Sequence, residues 1–117
     1  MLRTSRHGEV LRFDCARSIA GTGHYWTTAR IVAQARDTYK DTFNNDQFYV
    51  VVYPDEGDYF EDISPYFDEF GLKVLNYDEW LKLDPVEGLA LKGDGHPTGK
   101  ANQIVAHWIA ADLGLAD

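Results

Sequence analysis

An unbroken run of β-branched and aromatic residues, Phe48 to Tyr53, constrains the fold of this chain more than any other feature. The run does not alternate between apolar and polar residues, and Pro54 ends it. Antiparallel strands with one solvated face usually alternate, whereas strands of a parallel sheet covered by helices are apolar throughout. The run therefore predicts a strand that is buried on both faces of a parallel sheet.

The residues after this run predict a second strand and a helix that connects the two. Leu72 to Tyr77 has strand-forming composition, and Ser64-Pro65 has the residues of a helix start, with serine as N-cap and proline at the first helical position. We therefore expect a short helix from Ser64 to Phe70. Parallel strands need a connection of about a dozen residues or more, which the stretch from Pro54 to Gly71 provides. The order predicts a βαβ unit with a right-handed crossover.

Two longer amphipathic helices are predicted on either side of this unit. In the first, from Trp26 to Phe43, the predicted buried stripe is Thr28, Val32, Ala35, Tyr39 and Phe43. In the second, from Thr98 to Leu115, the predicted stripe is Ala101, Ile104, Val105, Trp108, Ile109 and Leu113. One further helical turn is expected at Asp78 to Leu83.

The predicted fold class is α/β, a three-layer doubly wound sheet with parallel strands. Residues 26–117 form the predicted α/β region. Residues 1–25 form an N-terminal segment without a firm assignment, in which Val10 to Phe13 is a candidate strand. Because only two strands are secure and doubly wound sheets usually have more, we expect either that the N-terminal region is irregular or that this chain lacks the N-terminal strands of a larger domain.

Composition excludes several classes of function. The formal net charge of −8 repels phosphate backbones, so nucleic acid is not expected as a partner. No apolar run is long enough to span a bilayer, and the first ten residues lack the apolar core of a signal peptide. The single cysteine, Cys15, forms no internal disulfide, so the default expectation is a cytoplasmic protein, although secretion of a longer parent chain stays open.

The residue types suited to chemistry lie in the Asp94-Gly95-His96-Pro97 stretch, just before the last helix. A neutral imidazole is a suitable general base near neutral pH, and a nearby carboxylate can fix its tautomer and stabilise its protonated form. Asp94 and His96 are therefore candidate catalytic residues. The same stretch is also compatible with an ordinary helix-entry loop, in which Asp94 or Thr98 caps backbone donors and His96 is merely exposed.

An Asp-x-His-Pro turn followed by a terminal amphipathic helix resembles the last conserved block of the SGNH (GDSL-type) serine hydrolases. The resemblance covers roughly Trp26 to Leu113, and the order of elements before the turn also matches. It implies a flavodoxin-like sheet and hydrolysis of a small ester or acylated substrate through an acyl-serine intermediate, without a cofactor. Ligands of open parallel sheets bind beyond the carboxyl ends of the strands, so Tyr53, Asp55 and Tyr77 are candidate substrate-binding residues.

The nucleophile is where the chain departs from the family. The serines are Ser5, Ser18 and Ser64, none of them in a Gly-Asp-Ser block, and no Gly-x-Asn-Asp block is present to supply oxyanion donors. Histidine and acidic spacings do not favour a metal site. The alternative hypothesis is therefore a non-catalytic α/β binding or assembly module, in which a partner or a second copy covers an exposed sheet edge.

Overall fold

The computed structural model describes residues 23–55 and 57–115 of the chain. Within these residues the protein is a mixed α/β structure with three helices and a two-stranded parallel sheet. In chain order the elements are α1 (Gly23–Phe43), β1 (Val50–Val52), α2 (Gly57–Glu69), β2 (Val74–Asn76), a 3-10 turn (Asp78–Trp80) and α3 (Gly99–Asp112). The candidate strand at Val10 to Phe13, together with Cys15, Ser5 and Ser18, lies outside the described residues.

The two strands pair in parallel as the sequence predicts, but each has three residues and is shorter than its predicted range. Val50 to Val52 run parallel to Val74 to Asn76 in register, and the backbone N–H of Tyr77 donates to the Val52 carbonyl at 3.0 Å. Parallel pairing with α2 as the connection confirms the βαβ order, while the handedness of the crossover stays a prediction. Burial of the first strand on both faces is wrong: Val52 is buried, but Val51 is 37% exposed. Successive side chains of a strand point to opposite faces, and the described residues cover only one of them.

The described residues divide into two compact units, the first made of residues 23–49 with Glu61–Lys73 and the second of residues 50–60 with residues 74–115. In the first unit, α1 buries Trp26, Ala29 and Ala33 rather than the predicted stripe, and Phe43 of that stripe is exposed. The Trp26 ring lies 5.8 Å from that of Phe70, between ring centroids. The two alanines have small side chains, so they let a neighbouring element approach α1 closely, which a pattern of large apolar residues does not reveal.

The helix α2 begins earlier than predicted. It runs from Gly57 through Ser64 and Pro65, so the expected start at Ser64 is wrong and Ser64 is an interior helical residue. A proline inside a helix removes one backbone hydrogen bond and costs about 3 kcal/mol. Burial of Ile63 and Phe67, one turn apart, offsets that cost, since each large apolar side chain contributes about 1.5–3 kcal/mol when fully buried.

Left-handed residues end the helices. At the end of α2, Gly71 has φ +65°, its N–H donates to the Asp68 carbonyl and the next N–H, of Leu72, donates to the Phe67 carbonyl, which is a Schellman motif. At the end of α1, Asn44 has φ +53° and its N–H donates to the Lys40 carbonyl. The helix stop that the sequence predicts after Phe43 is therefore confirmed.

In the second unit, α3 is fixed to the carboxyl ends of both strands. It spans Gly99 to Asp112 with Thr98 as its N-cap, in agreement with the prediction, and Ala101 and Val105 of the predicted stripe are buried. The hydroxyl of Tyr53, which follows β1, donates to Asn102 Oδ1 at 2.5 Å. The hydroxyl of Tyr77, which follows β2, donates to Asp112 Oδ2 at 2.6 Å. The predicted turn after Tyr77 is the 3-10 turn, which is shorter than expected.

Candidate functional site

The candidate catalytic pair lies at the tip of a narrow loop with a buried base. Ala90 and Pro97 form an antiparallel bridge, the Leu91 N–H donates to the His96 carbonyl at 2.7 Å, and Leu89 and Ala90 are buried. Thr98 closes the base, since its hydroxyl donates to the Gly88 carbonyl at 2.5 Å and accepts from the Ala101 N–H at 3.4 Å. The loop thus enters α3 at a fixed position.

Within this loop the Asp94 carboxylate makes two contacts with His96. Its Oδ1 accepts a hydrogen bond from the His96 backbone N–H at 2.9 Å and lies 3.4 Å from the imidazole Nδ1. Gly95, between them, has φ +74°, a conformation that residues with a Cβ rarely adopt. The predicted proximity of carboxylate and imidazole is therefore present, with Nδ1 toward the carboxylate.

The electrostatics of the pair follow from the same contacts. The backbone N–H of His96 is the largest cause that holds the pKa of the Asp94 carboxyl below its usual value, and the His96 side chain lowers that pKa further. A carboxylate that stays ionised can stabilise an imidazolium beside it. The charge arrangement therefore suits the role of an aspartate that supports a general base.

The pair is, however, open to solvent. The side chains of His96 and Asp94 are 77% and 56% exposed, respectively. In the serine-protease arrangement the aspartate is buried and its attraction to the imidazolium acts in a medium of low dielectric constant. The hydrogen bond from an N–H two residues ahead to the Asp94 carboxylate is also an Asx turn, which many loops form for structural reasons. Proximity alone does not separate the catalytic role from the loop role.

The three predicted substrate-binding residues lie where the strands end. Tyr53 and Tyr77 follow β1 and β2, and the Asp55 N–H donates to the Asp78 carbonyl at 3.1 Å across the same edge. Asp55 has φ +69°, and its carboxylate accepts from the Lys82 ammonium at 3.0 Å. All three residues therefore lie at the carboxyl edge of the sheet, and their role in binding stays a prediction.

The two tyrosines differ in what they offer a ligand. Tyr77 is 1% exposed, and burial, followed by its hydrogen bond to Asp112, raises its pKa to about 12. Its ring packs against Trp80 and Trp108, with centroids 5.2 and 5.6 Å away, so Tyr77 is a core residue with almost no surface free for a ligand. Tyr53 is half-buried, and burial also raises its pKa.

Sequence reasoning missed Asn102 and Asp112, the residues of α3 that accept hydrogen bonds from these tyrosines. Both are ordinary polar residues on an amphipathic helix, and no spacing rule singles them out. Of the other candidates, Ser64 lies inside α2 and His107 is an exposed residue of α3. In the described part of the chain, no group of three or more His, Cys, Asp or Glu side chains is placed to hold a metal ion.

Comparison with models of known protein families, with curated proteins and with solved structures found no match. Among residues 23–55 and 57–115, none of the helices combines the length and apolar character needed to cross a membrane.

Proposed function

We propose that this chain supplies the Asp-His pair of an SGNH-type serine ester hydrolase, with His96 as the general base and Asp94 as its supporting carboxylate. One observation carries the proposal: Asp94 Oδ1 lies 3.4 Å from His96 Nδ1 and is held there by the His96 backbone N–H. This arrangement directs the carboxylate to one ring nitrogen and leaves Nε2 for the proton of an alcohol nucleophile.

The position of the turn relative to the sheet supports the same proposal. Asn102, in the second turn of α3, contacts Tyr53 at the carboxyl end of β1, and His96 precedes α3 by three residues. Open parallel sheets bind ligands beyond this edge. We further propose that the sheet is part of a three-layer doubly wound fold with further strands, and that a small ester or acylated ligand binds at this edge.

The proposed reaction divides the roles as follows. His96 Nε2 accepts the proton of a serine alcohol as that oxygen attacks the ester carbonyl, and it later returns a proton to the leaving alcohol. Asp94 keeps the imidazole in one tautomer and stabilises its charged form. The serine is not among Ser5, Ser18 and Ser64 in this proposal, because none lies in a nucleophile block. A segment outside these 117 residues supplies it.

A longer reading frame tests the proposal. The DNA upstream of Met1 is searched for an in-frame Gly-Asp-Ser, and the longer chain is expressed and treated with a fluorophosphonate. We expect one labelled serine, with labelling lost in His96→Ala and weakened in Asp94→Asn. His107→Ala is the matched control, since it removes an exposed histidine elsewhere on α3 and should leave labelling unchanged. Equal labelling in His96→Ala and the parent would refute the proposal.

A second function, a non-catalytic α/β binding or assembly module, is favoured by the exposure of the pair. Side chains that are 77% and 56% exposed lack the dry surroundings that strengthen a charge-stabilised base. In this alternative a partner or a second copy pairs with an edge of the sheet. Light scattering of the 117-residue chain distinguishes the cases, since a self-assembling module gives a concentration-dependent dimer mass and a monomer at all concentrations argues against a second copy.

A further inference from the structure

We propose that a cleft in the first unit binds a small oxyanion, inorganic phosphate or a phosphate monoester, independently of the proposed esterase function. The cleft has a volume of about 230 Å³, several times the roughly 30 Å³ that one water molecule takes up in the liquid. Three cationic side chains line it, those of Arg36, Lys40 and Lys73. The carboxylates of Asp37 and Asp46 line the same cleft, so its lining has one more cationic than acidic side chain, in a chain of net charge −8.

The hydrogen bonds within the protein leave part of the donor capacity of these three cations free. Arg36 donates from Nε to Asp37 at 3.0 Å and from Nη1 to the Phe70 carbonyl at 2.6 Å, which leaves three of its five N–H donors. Lys73 donates to the Asp46 carbonyl at 3.0 Å and lies 3.3 Å from that residue's carboxylate. Within the described part of the chain, the Lys40 ammonium has no hydrogen bond or ion pair.

Two helix C-termini lie at this cleft, and their negative ends would ordinarily disfavour an anion. One carbonyl at each of these ends is already bonded, since the Arg36 guanidinium donates to the Phe70 carbonyl and the Asn44 N–H donates to the Lys40 carbonyl. The two nearby carboxylates, Asp37 and Asp46, are each paired with one cation. Within the described residues Lys40 has no carboxylate partner and interacts only with the partial negative charge at the end of α1. A dianion placed between Lys40 and the remaining Arg36 donors would pair with both cations.

An NMR titration of the intact 117-residue chain tests this inference. Phosphate, glycerol 2-phosphate and acetate are added separately while chloride keeps the ionic strength constant, so general screening is removed. We expect saturable backbone amide shifts at Lys40, Gly71 and Lys73 with phosphate and with the monoester. Acetate carries half the charge, so its shifts should saturate at several-fold higher concentration. Saturation by phosphate alone would assign the site to the free ion rather than to a monoester.

Three variants make the test specific. Lys40→Gln removes the cation that has no carboxylate partner in the described part of the chain and should weaken phosphate binding about fivefold or more, whereas Lys40→Arg should keep it. Lys92→Gln is the control, because it makes the same charge change at an exposed position of the other unit. The inference is overturned if the shifts rise linearly without saturation, or if Lys40→Gln and Lys92→Gln bind phosphate as the parent does.

Discussion

Two groups of His96, its backbone N–H and its side chain, lower the pKa of the Asp94 carboxyl, and their separate contributions can be measured. Because the His96 backbone N–H is the largest cause of the lowered pKa, we expect most of the lowering to persist in His96→Ala, where the N–H remains. A ¹³C NMR titration of the carboxyl in the parent and in the variant measures both values. If the Asp94 pKa returned to its usual value in His96→Ala, the imidazole would be the main cause of the lowering. That result would support the hypothesis that Asp94 assists His96 as a general base.

The raised pKa of the Tyr77 phenol makes the stability of the folded chain depend on pH in the alkaline range. Its pKa is raised from 10.0 to about 12, so the unfolded chain loses the phenol proton at lower pH than the folded chain does. Stability from this group is therefore complete below pH 10 and decreases as the pH rises toward 12. Tyr77→Phe removes the titration and also the hydrogen bond to Asp112, which contributes about 1 kcal/mol.

Urea unfolding at neutral and alkaline pH separates these two effects. At neutral pH the Phe variant should be less stable than the parent. The difference should narrow between pH 10 and 12, because only the parent loses stability through this group. Side chains common to both proteins contribute equally and cancel in the comparison. A constant difference across that range would show that Tyr77 titrates alike in the folded and unfolded chains.

At the scale of elements, the end of α2 tests how far backbone conformation limits the sequence. Gly71 has φ +65°, and a Cβ there would meet no atom within 4 Å, so Gly71→Ala carries backbone strain alone. We expect it to destabilise the chain by about 1 kcal/mol. Gly99 also has open space but no positive φ, and lies in the first turn of α3, so Gly99→Ala should be neutral or stabilising by up to about 1 kcal/mol.

Thermal unfolding of the two alanine variants beside the parent measures the contrast. A Tm lowered by Gly71→Ala and unchanged or raised by Gly99→Ala is the expected pattern. Equal shifts in both variants would mean that the loss of glycine itself, and not the left-handed turn, determines the effect.

The same elements show which features the sequence encodes locally. The helix α3 was predictable because its cap, Thr98, and its apolar stripe agree. The start of α2 was not, because Ser64-Pro65 is a local start signal, whereas the helix is held by burial of Ile63 and Phe67, which depends on the tertiary structure. The buried face of α1 was missed because its alanines carry little hydrophobic weight, although they permit close packing.

At the scale of the whole molecule, the candidate site also has a part that the sequence predicts and a part that it does not. The separation of Asp94 and His96 follows from a two-residue turn and was predictable. The contacts that fix α3 at the sheet edge, Tyr53 to Asn102 and Tyr77 to Asp112, join residues 49 and 35 positions apart. A single sequence does not indicate which polar residue on a helix receives such a bond, so these partners emerge only from the fold.

If Asp94 and His96 lie in this chain and the nucleophilic serine does not, the 117-residue chain alone should have almost no hydrolase activity. Catalysis by a triad is strongly non-additive, since loss of the serine or the histidine alone removes most of its contribution. Ser64 lies inside α2, where no sharp turn presents its hydroxyl as a nucleophile. We therefore expect no stoichiometric fluorophosphonate labelling of Ser5, Ser18 or Ser64, as measured by intact-mass spectrometry and peptide mapping.

Hydrolysis of an aryl acetate by the same chain should be no faster than by its His96→Ala variant, because an exposed imidazole without a nucleophile gives only weak general-base assistance. The His107→Ala variant controls for the background contributed by a surface histidine. Labelling of one serine in the short chain that disappears in His96→Ala but persists in His107→Ala would contradict this prediction. It would place the nucleophile within these 117 residues and make the chain a complete hydrolase whose serine reaches His96 by a route that the sequence motifs do not reveal.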